Sequence, residues 1–231
     1  MKRIISVFLI LLLLLPAGCK QQNTEPAAPG GGNTLSSEDQ THQTKDYYIC
    51  QYHIRLKEAF ANRDYTLADF GVPDAKELQS FNNPGVYYIH AVYDDRDKVS
   101  DVAQALLNRE DLANLELLYE TYTIENVETI PNLPTLKRNP IPFENHQVCD
   151  GMFEAFMKYD GLAINNILSI SDFPDIPIEG LRVFCKGNEA SAGFYLKESG
   201  IDSLNGYIKQ FQTYPCVQLV RLSKYEPETF N

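Results

Sequence analysis

Basic clusters are scarce in this chain of 231 residues, which sets 20 Lys and Arg against 31 Asp and Glu for a formal charge of −11. Lys137-Arg138 is the one adjacent basic pair beyond the first residues, and prolines surround it. Such an acidic chain is repelled by nucleic-acid phosphates and anionic headgroups, so no nucleic-acid partner is expected. CxxC spacing is absent, which argues against a zinc or thiol-redox motif. The 4 histidines, His42, His53, His90 and His146, show neither HxH nor HExxH spacing. The acidic groups Asp94-Asp95 with Asp97 and Glu110-Asp111 lack the Gly and closing Glu of an EF-hand loop. No metal, cofactor or catalytic residue is expected, and the reading is of a protein that is not an enzyme. Long apolar runs are also missing, apart from residues 4–15. Those 12 residues fall short of the roughly 20 that a spanning helix needs.

What is present at the start is the layout of an export signal. Lys2 and Arg3 precede the uncharged run, which ends in Leu15-Pro16-Ala17-Gly18-Cys19. This ending resembles the bacterial lipobox, with small residues before the cysteine. Pro16 holds the place where that pattern usually has Leu, and Leu15 stands one position further out. The resemblance implies cleavage after residue 18, attachment of lipid (diacylglycerol, with palmitate) to Cys19 and a lipid-anchored location in the bacterial cell envelope. Loss of residues 1–18 removes two cations and no acid, leaving the mature chain more acidic still.

Residues 19–45 then read as a flexible tether. Pro26, Pro29 and Gly30-Gly31-Gly32 lie among polar residues that cannot bury enough surface to offset chain entropy. Dense Tyr, Phe, Ile, Leu and Val begin at Asp46. Within the rest, Tyr65-Thr66-Leu67-Ala68-Asp69-Phe70 is echoed 103 residues later by Leu168-Ser169-Ile170-Ser171-Asp172-Phe173. Val99, Val102 and Leu106 match Ile201, Leu204 and Ile208, and Leu115-Glu116-Leu117-Leu118 matches Val217-Gln218-Leu219-Val220. Pro131, Pro134, Pro140 and Pro142 stiffen the stretch between the copies. The domains expected are a module at 46–125, a Pro-rich junction at 126–147 and a second module at 148–231.

Each copy reads as strand, short helical turn, strand, strand, helix, strand. In the first, Tyr52, Ile54 and Leu56 alternate with polar residues, and Asn82-Asn83-Pro84-Gly85 marks a turn before a strand at 86–93. Asp97 is expected to cap a helix at 98–108 whose Val99, Val102, Ala103 and Leu106 share one face. The fold class predicted is α+β, as two tandem ferredoxin-like modules, each an antiparallel sheet with one main helix and a first helix reduced to a turn. With the Tyr65–Phe70 motif and the closing Leu112-Ala113-Asn114-Leu115-Glu116, this layout resembles subtilisin-propeptide and peptidase-inhibitor-like modules. That resemblance implies inhibition of a separate protease as one alternative function.

Setting Cys19 aside, Cys50, Cys149, Cys185 and Cys216 allow three full disulfide pairings in an exported protein. His53 and His146 lie within three residues of Cys50 and Cys149, so a hydrolase with a Cys or carboxylate site between the modules is a further alternative. Asp69 and Asp172 are expected to bond nearby backbone amides, with Phe70 and Phe173 filling the core. Tyrosine is abundant at 14 residues, while tryptophan is absent. Tyr87 and Tyr88 are neighbours on a strand and must face opposite sides. Tyr87, Tyr88, Tyr93, Tyr119 and Tyr122 are therefore candidates for a partner-binding surface, with packing within the fold as the competing explanation. The function expected is a lipid-anchored, non-enzymatic interaction protein. Its partners would be the membrane through Cys19 and an envelope or extracellular protein or peptide.

Overall fold

Alternation along the first strand sets the architecture. In β1, Lys45–Leu56, the side chains of Tyr48, Cys50, Tyr52, Ile54 and Leu56 are buried, while those between them are half-exposed or exposed. A period of two with one buried face is the signature of a sheet covered on one side. The computed structural model describes residues 44–80, 83–124, 140–144, 146–196 and 201–224. They belong to one compact unit, Thr41–Asn231. The signal segment, Cys19, the tether to residue 43 and most of the Pro-rich junction lie outside the described residues.

The remaining elements are α1 (Leu67–Phe70), β2 (Ala75–Ser80), β3 (Val86–Tyr93), α2 (Arg96–Leu107) and β4 (Leu112–Ile124). After them come β5 (Pro140–Phe143), β6 (His146–Lys158), β7 (Ile178–Lys186), β8 (Glu189–Leu196), α3 (Ile201–Phe211) and β9 (Val217–Lys224). All nine strands join one antiparallel sheet in the order β2-β3-β1-β4-β7-β8-β6-β5, with β9 also on β6.

This corrects the expected pair of α+β ferredoxin-like modules. The fold is dominated by one large sheet, and three α-helices are found among the described residues. Two physical facts produce the difference. The edge strands of the two halves pair with each other, Glu116–Thr121 of β4 against Leu181–Lys186 of β7, so the sheet runs on instead of ending. An unpaired strand edge is a liability, and pairing it removes the exposed backbone donors and acceptors. The first helical element of each half is also only a turn, α1 of four residues and a 3₁₀ turn at Ile170–Asp172, too short to cover a sheet. Strand order nonetheless recurs, β2-β3-β1-β4 in one half and β7-β8-β6-β9 in the other.

The repeated motif forms the same local structure twice. The Thr66 backbone N–H donates to Asp69 Oδ2 at 2.7 Å, and the Ser169 N–H donates to Asp172 Oδ2 at 2.8 Å. Both are capping boxes, in which the acid three residues on satisfies an amide at the start of the turn. Hydrogen bonds from the Thr66 hydroxyl and backbone hold the Asp69 carboxyl below its ordinary range. Phe70 and Phe173 are buried as expected. The main helix begins two residues earlier than the sequence reading has it. Asp95, rather than Asp97, is its N-cap, accepting from the Asp97 N–H at 2.9 Å. Its buried face is Val99, Val102, Ala103 and Leu106.

Gly85 shows why the turn before β3 needs glycine. Its φ is +74°, and an added Cβ would lie 2.8 Å from the Cβ of Ala61. Its carbonyl accepts from the Leu56 N–H at 2.8 Å, pinning the end of β1.

On the helix side the two halves are tied by polar contacts. The buried Tyr119 hydroxyl accepts from the Leu168 N–H at 2.7 Å. Asp46 accepts from the hydroxyls of Ser169 and Ser171, and from Thr123 Oγ1 at 2.5 Å. Arg96 Nη1 donates to both oxygens of Asp172 at 3.0 and 3.2 Å.

Candidate functional site

Helices and 3₁₀ turns cover one face of the sheet, so the opposite face is where a large partner finds a broad surface. Its composition follows from strand register. On this face Leu118 of β4, Phe184 of β7, Ser191 of β8, Phe156 of β6 and Leu219 of β9 stand side by side as successive cross-strand partners. Two residues along each strand lies a second row: Glu120, Arg182, Gly193, Glu154 and Arg221. The first row is apolar except at its centre. The second alternates in charge around a glycine.

The small residues of β8 make the floor, and the larger side chains on either side make walls. The resulting groove has a volume of about 490 Å³, and Phe156, Phe184, Leu118, Leu219, Arg182 and Arg221 are among its lining residues. Phe156 is 37% exposed and Leu219 55%, two of the three large exposed hydrophobics among the described residues. Single exposed hydrophobics are ordinary, but Phe156 and Leu219 are cross-strand partners beside half-buried Phe184 and Leu118, and such grouping on one sheet face is the usual mark of a contact surface. Its charges are paired within the row. Arg182 Nε donates to Glu120 Oε1 at 2.7 Å, and Arg221 donates to Glu154 Oε2 at 3.0 and 2.9 Å. Ser223 adds a hydroxyl donated to Glu154 Oε1 at 2.8 Å. Exposed pairs of this kind contribute little to stability. Their effect is to fix where each charge stands beside the apolar row.

No protein-family model matches the chain, and no curated protein matches it.

The face continues toward β1 and β3 as a polar cluster. His53 Nε2–H donates to Gln51 Oε1 at 2.7 Å, and Gln51 Nε2 donates to His90 Nε2 at 2.9 Å. His53 also stacks edge-on to Tyr88, with centroids 4.6 Å apart. Burial lowers the His53 pKa, and nearby Glu116 partly offsets that.

The five tyrosines singled out from sequence are divided by the fold. Tyr87, Tyr93, Tyr119 and Tyr122 are buried. Tyr87 donates its hydroxyl to the Arg63 carbonyl at 3.1 Å, and Tyr93 donates to the Pro73 carbonyl at 3.0 Å. Tyr122 donates to Glu120 Oε2 at 2.9 Å. Tyr88 is half-buried on the open face. The groove residues escaped the sequence reading, which followed the tyrosines into the first half. A signal was available: Phe156 lies between Ala155 and Met157, which face the core, and so occupies the outward parity of its strand.

The cysteines stand apart from the groove. None of the four is disulfide-bonded; Cys50, Cys149 and Cys185 are buried, and Cys216 is half-buried. Cys50 and His53 are three residues apart on β1 and therefore face opposite sides of the sheet. Burial pushes the Cys185 thiol up to about 12 and the Cys50 thiol further. Since the thiolate is the reactive form, alkylation of the native protein should modify Cys216 first. Cys50, Cys149 and Cys185 should react only on unfolding. Peptide mass mapping after brief maleimide exposure checks this, and early labelling of Cys50 would show that the core opens in the native state.

Proposed function

We propose that this protein is an exported bacterial lipoprotein, held to the cell envelope by lipid on Cys19, and that it is a non-enzymatic interaction protein. The contact surface is the open sheet face at the groove lined by Phe156 and Leu219. The observation that carries this reading is the row in which exposed Phe156 and Leu219 stand beside half-buried Phe184 and Leu118, registered across the strands and edged by Arg and Glu at set positions. Apolar area supplies association free energy, while the charges select register and partner. The lipobox-like Leu15-Pro16-Ala17-Gly18-Cys19 supplies the anchor, and the polar tether lifts the folded part clear of the membrane.

One experiment tests both parts in the full chain. Cells are fed labelled palmitate while expressing the protein with a photo-reactive amino acid in place of Leu219, or in place of the exposed Asp101 on α2. Palmitate label that is lost in Cys19→Ala, together with protein adducts from position 219 and not from position 101, is the expected result. Label persisting in Cys19→Ala would overturn the anchor. Absence of adducts at position 219 would overturn the interaction surface.

A further inference from the structure

The two rows of the groove share a symmetry that single-chain packing does not require. Read across the strands from β4 to β9, the apolar row is Leu118, Phe184, Ser191, Phe156, Leu219, the same residue types in both directions. The charged row, Glu120, Arg182, Gly193, Glu154, Arg221, becomes its own opposite when reversed. Both patterns centre on β8. A surface with these properties is complementary to itself under a two-fold axis running along β8.

We propose that the occupant of the groove is a second copy of this chain, packed face to face through that axis; this rests on the open face being the contact surface proposed above. The operation sets Phe184 against Phe156 of the other copy and Leu118 against its Leu219. It brings Arg182 to Glu154 and Glu120 to Arg221 across the interface. A two-fold axis along the rows would instead set each Arg over itself, so the charges choose between the two arrangements. Closed two-fold contacts of one patch with itself are the commonest form of homo-oligomer.

Sheet geometry permits the contact. Face-packed sheets lie about 10 Å apart with strands crossing at about 30°, which tilts the two-fold about 15° away from the direction of β8. The outer strands are two strand spacings from β8, about 10 Å, so that crossing displaces facing residues there by about 5 Å. Long Arg and Glu side chains span such a displacement. The small side chains at Ser191 and Gly193 leave room at the axis for the flanking phenylalanines to interleave.

The contact is bounded on both sides. The next row outward, Glu116, Lys186, Glu189 and Lys158, is not self-complementary, since reversal about β8 sets Lys186 against Lys158. In the other direction Tyr122 and Tyr195 are already buried. Two rows across five strands make a small interface, at the low end of those that hold proteins together in solution. Tethering both copies to one membrane raises their effective concentration and favours such a contact.

The test uses the full chain in its own membranes. Ser191→Cys places a thiol of each copy beside the axis, where a bis-maleimide of about 8 Å span reaches between faces packed about 10 Å apart. A cross-linked species of twice the chain mass is expected from Ser191→Cys, and none from the parent chain or Asp101→Cys. Arg182→Glu should lower the cross-linked fraction about tenfold, because each copy then sets Glu against Glu154 of the other. Adding Glu154→Arg should restore it. If the Arg and Glu mattered only within one sheet, the second change would worsen the first by breaking a second in-sheet pair.

Equal cross-linking from Ser191→Cys and Asp101→Cys would signal random collision and overturn the proposal. Monomer alone from Ser191→Cys, with photo-adducts at position 219 to a different protein, would overturn the second copy and leave the interaction surface standing. Neither cross-link nor adduct would end both.

Discussion

Replacing Phe211 with alanine should lower the unfolding free energy by about 3–5 kcal/mol, the range for removing a buried aromatic ring. Phe211 is fully buried, and its ring meets three others, Phe153, Phe173 and Phe194, at centroid distances of 5.6, 5.9 and 4.4 Å. It is also the last residue of α3, so the change empties the point where that helix meets the sheet. The neighbouring rings stand on separate elements, β6, β8 and the end of the 3₁₀ turn, and cannot all collapse into the gap, which places the cost toward the upper part of the range. Urea unfolding followed by circular dichroism measures it. A loss below about 1 kcal/mol would mean that the ring cluster is not packed as described.

Asp111→Ala is expected to cost about 2 kcal/mol by a different route, the stranding of the half-buried Arg109 charge and loss of its hydrogen bonds. Asp111 lies where β4 begins and is 7% exposed. Arg109 donates to its two oxygens at 2.9 and 2.7 Å, and the Tyr65 hydroxyl donates at 2.9 Å. Arg109 also donates to the Asp69 carbonyl and lies over the Phe70 ring at 5.0 Å, so it couples the capping-box turn to β4. Burial by itself would raise the Asp111 pKa. The hydrogen bonds from Arg109 and Tyr65 and the Arg109 charge outweigh it and hold the carboxyl below the ordinary range. A depressed carboxylate stabilises the fold above its unfolded-state pKa, and that contribution is lost as pH falls through the lower folded-state value. Stability of the parent chain should therefore drop as pH falls from about 4, and Asp111→Asn should flatten that part of the profile. An unchanged profile in Asp111→Asn would assign the acid sensitivity to other carboxylates, among them Asp94, which Lys45 and Lys98 hold far below its usual range.

Local structure was legible because it depends on neighbours in sequence. Thr66 with Asp69 and Ser169 with Asp172 are three residues apart, so the two capping turns could be read from spacing. The face Val99, Val102, Ala103 and Leu106 followed from a period of 3.6, and the alternation of β1 from a period of two. The helix start was misplaced by two residues because Asp94, Asp95 and Asp97 compete as caps, and only the backbone conformation selects Asp95. The tyrosines could be placed on strands, yet whether a strand face meets a helix, another strand's side chains or solvent is a three-dimensional fact.

By itself the sequence determined the acidic charge, the repeated motif and most of the strand and helix series, since each rests on composition or short-range periodicity; β5, Pro140–Phe143, and the start of β6 fall in the expected Pro-rich junction and were missed. Only the tertiary structure decided that β4 pairs with β7, turning an expected pair of modules into one sheet. It also decided that Leu118, Phe184, Phe156 and Leu219 form a single row. Register between strands distant in the chain follows from the joint satisfaction of backbone hydrogen bonds and core packing, and no window of neighbouring residues carries that information.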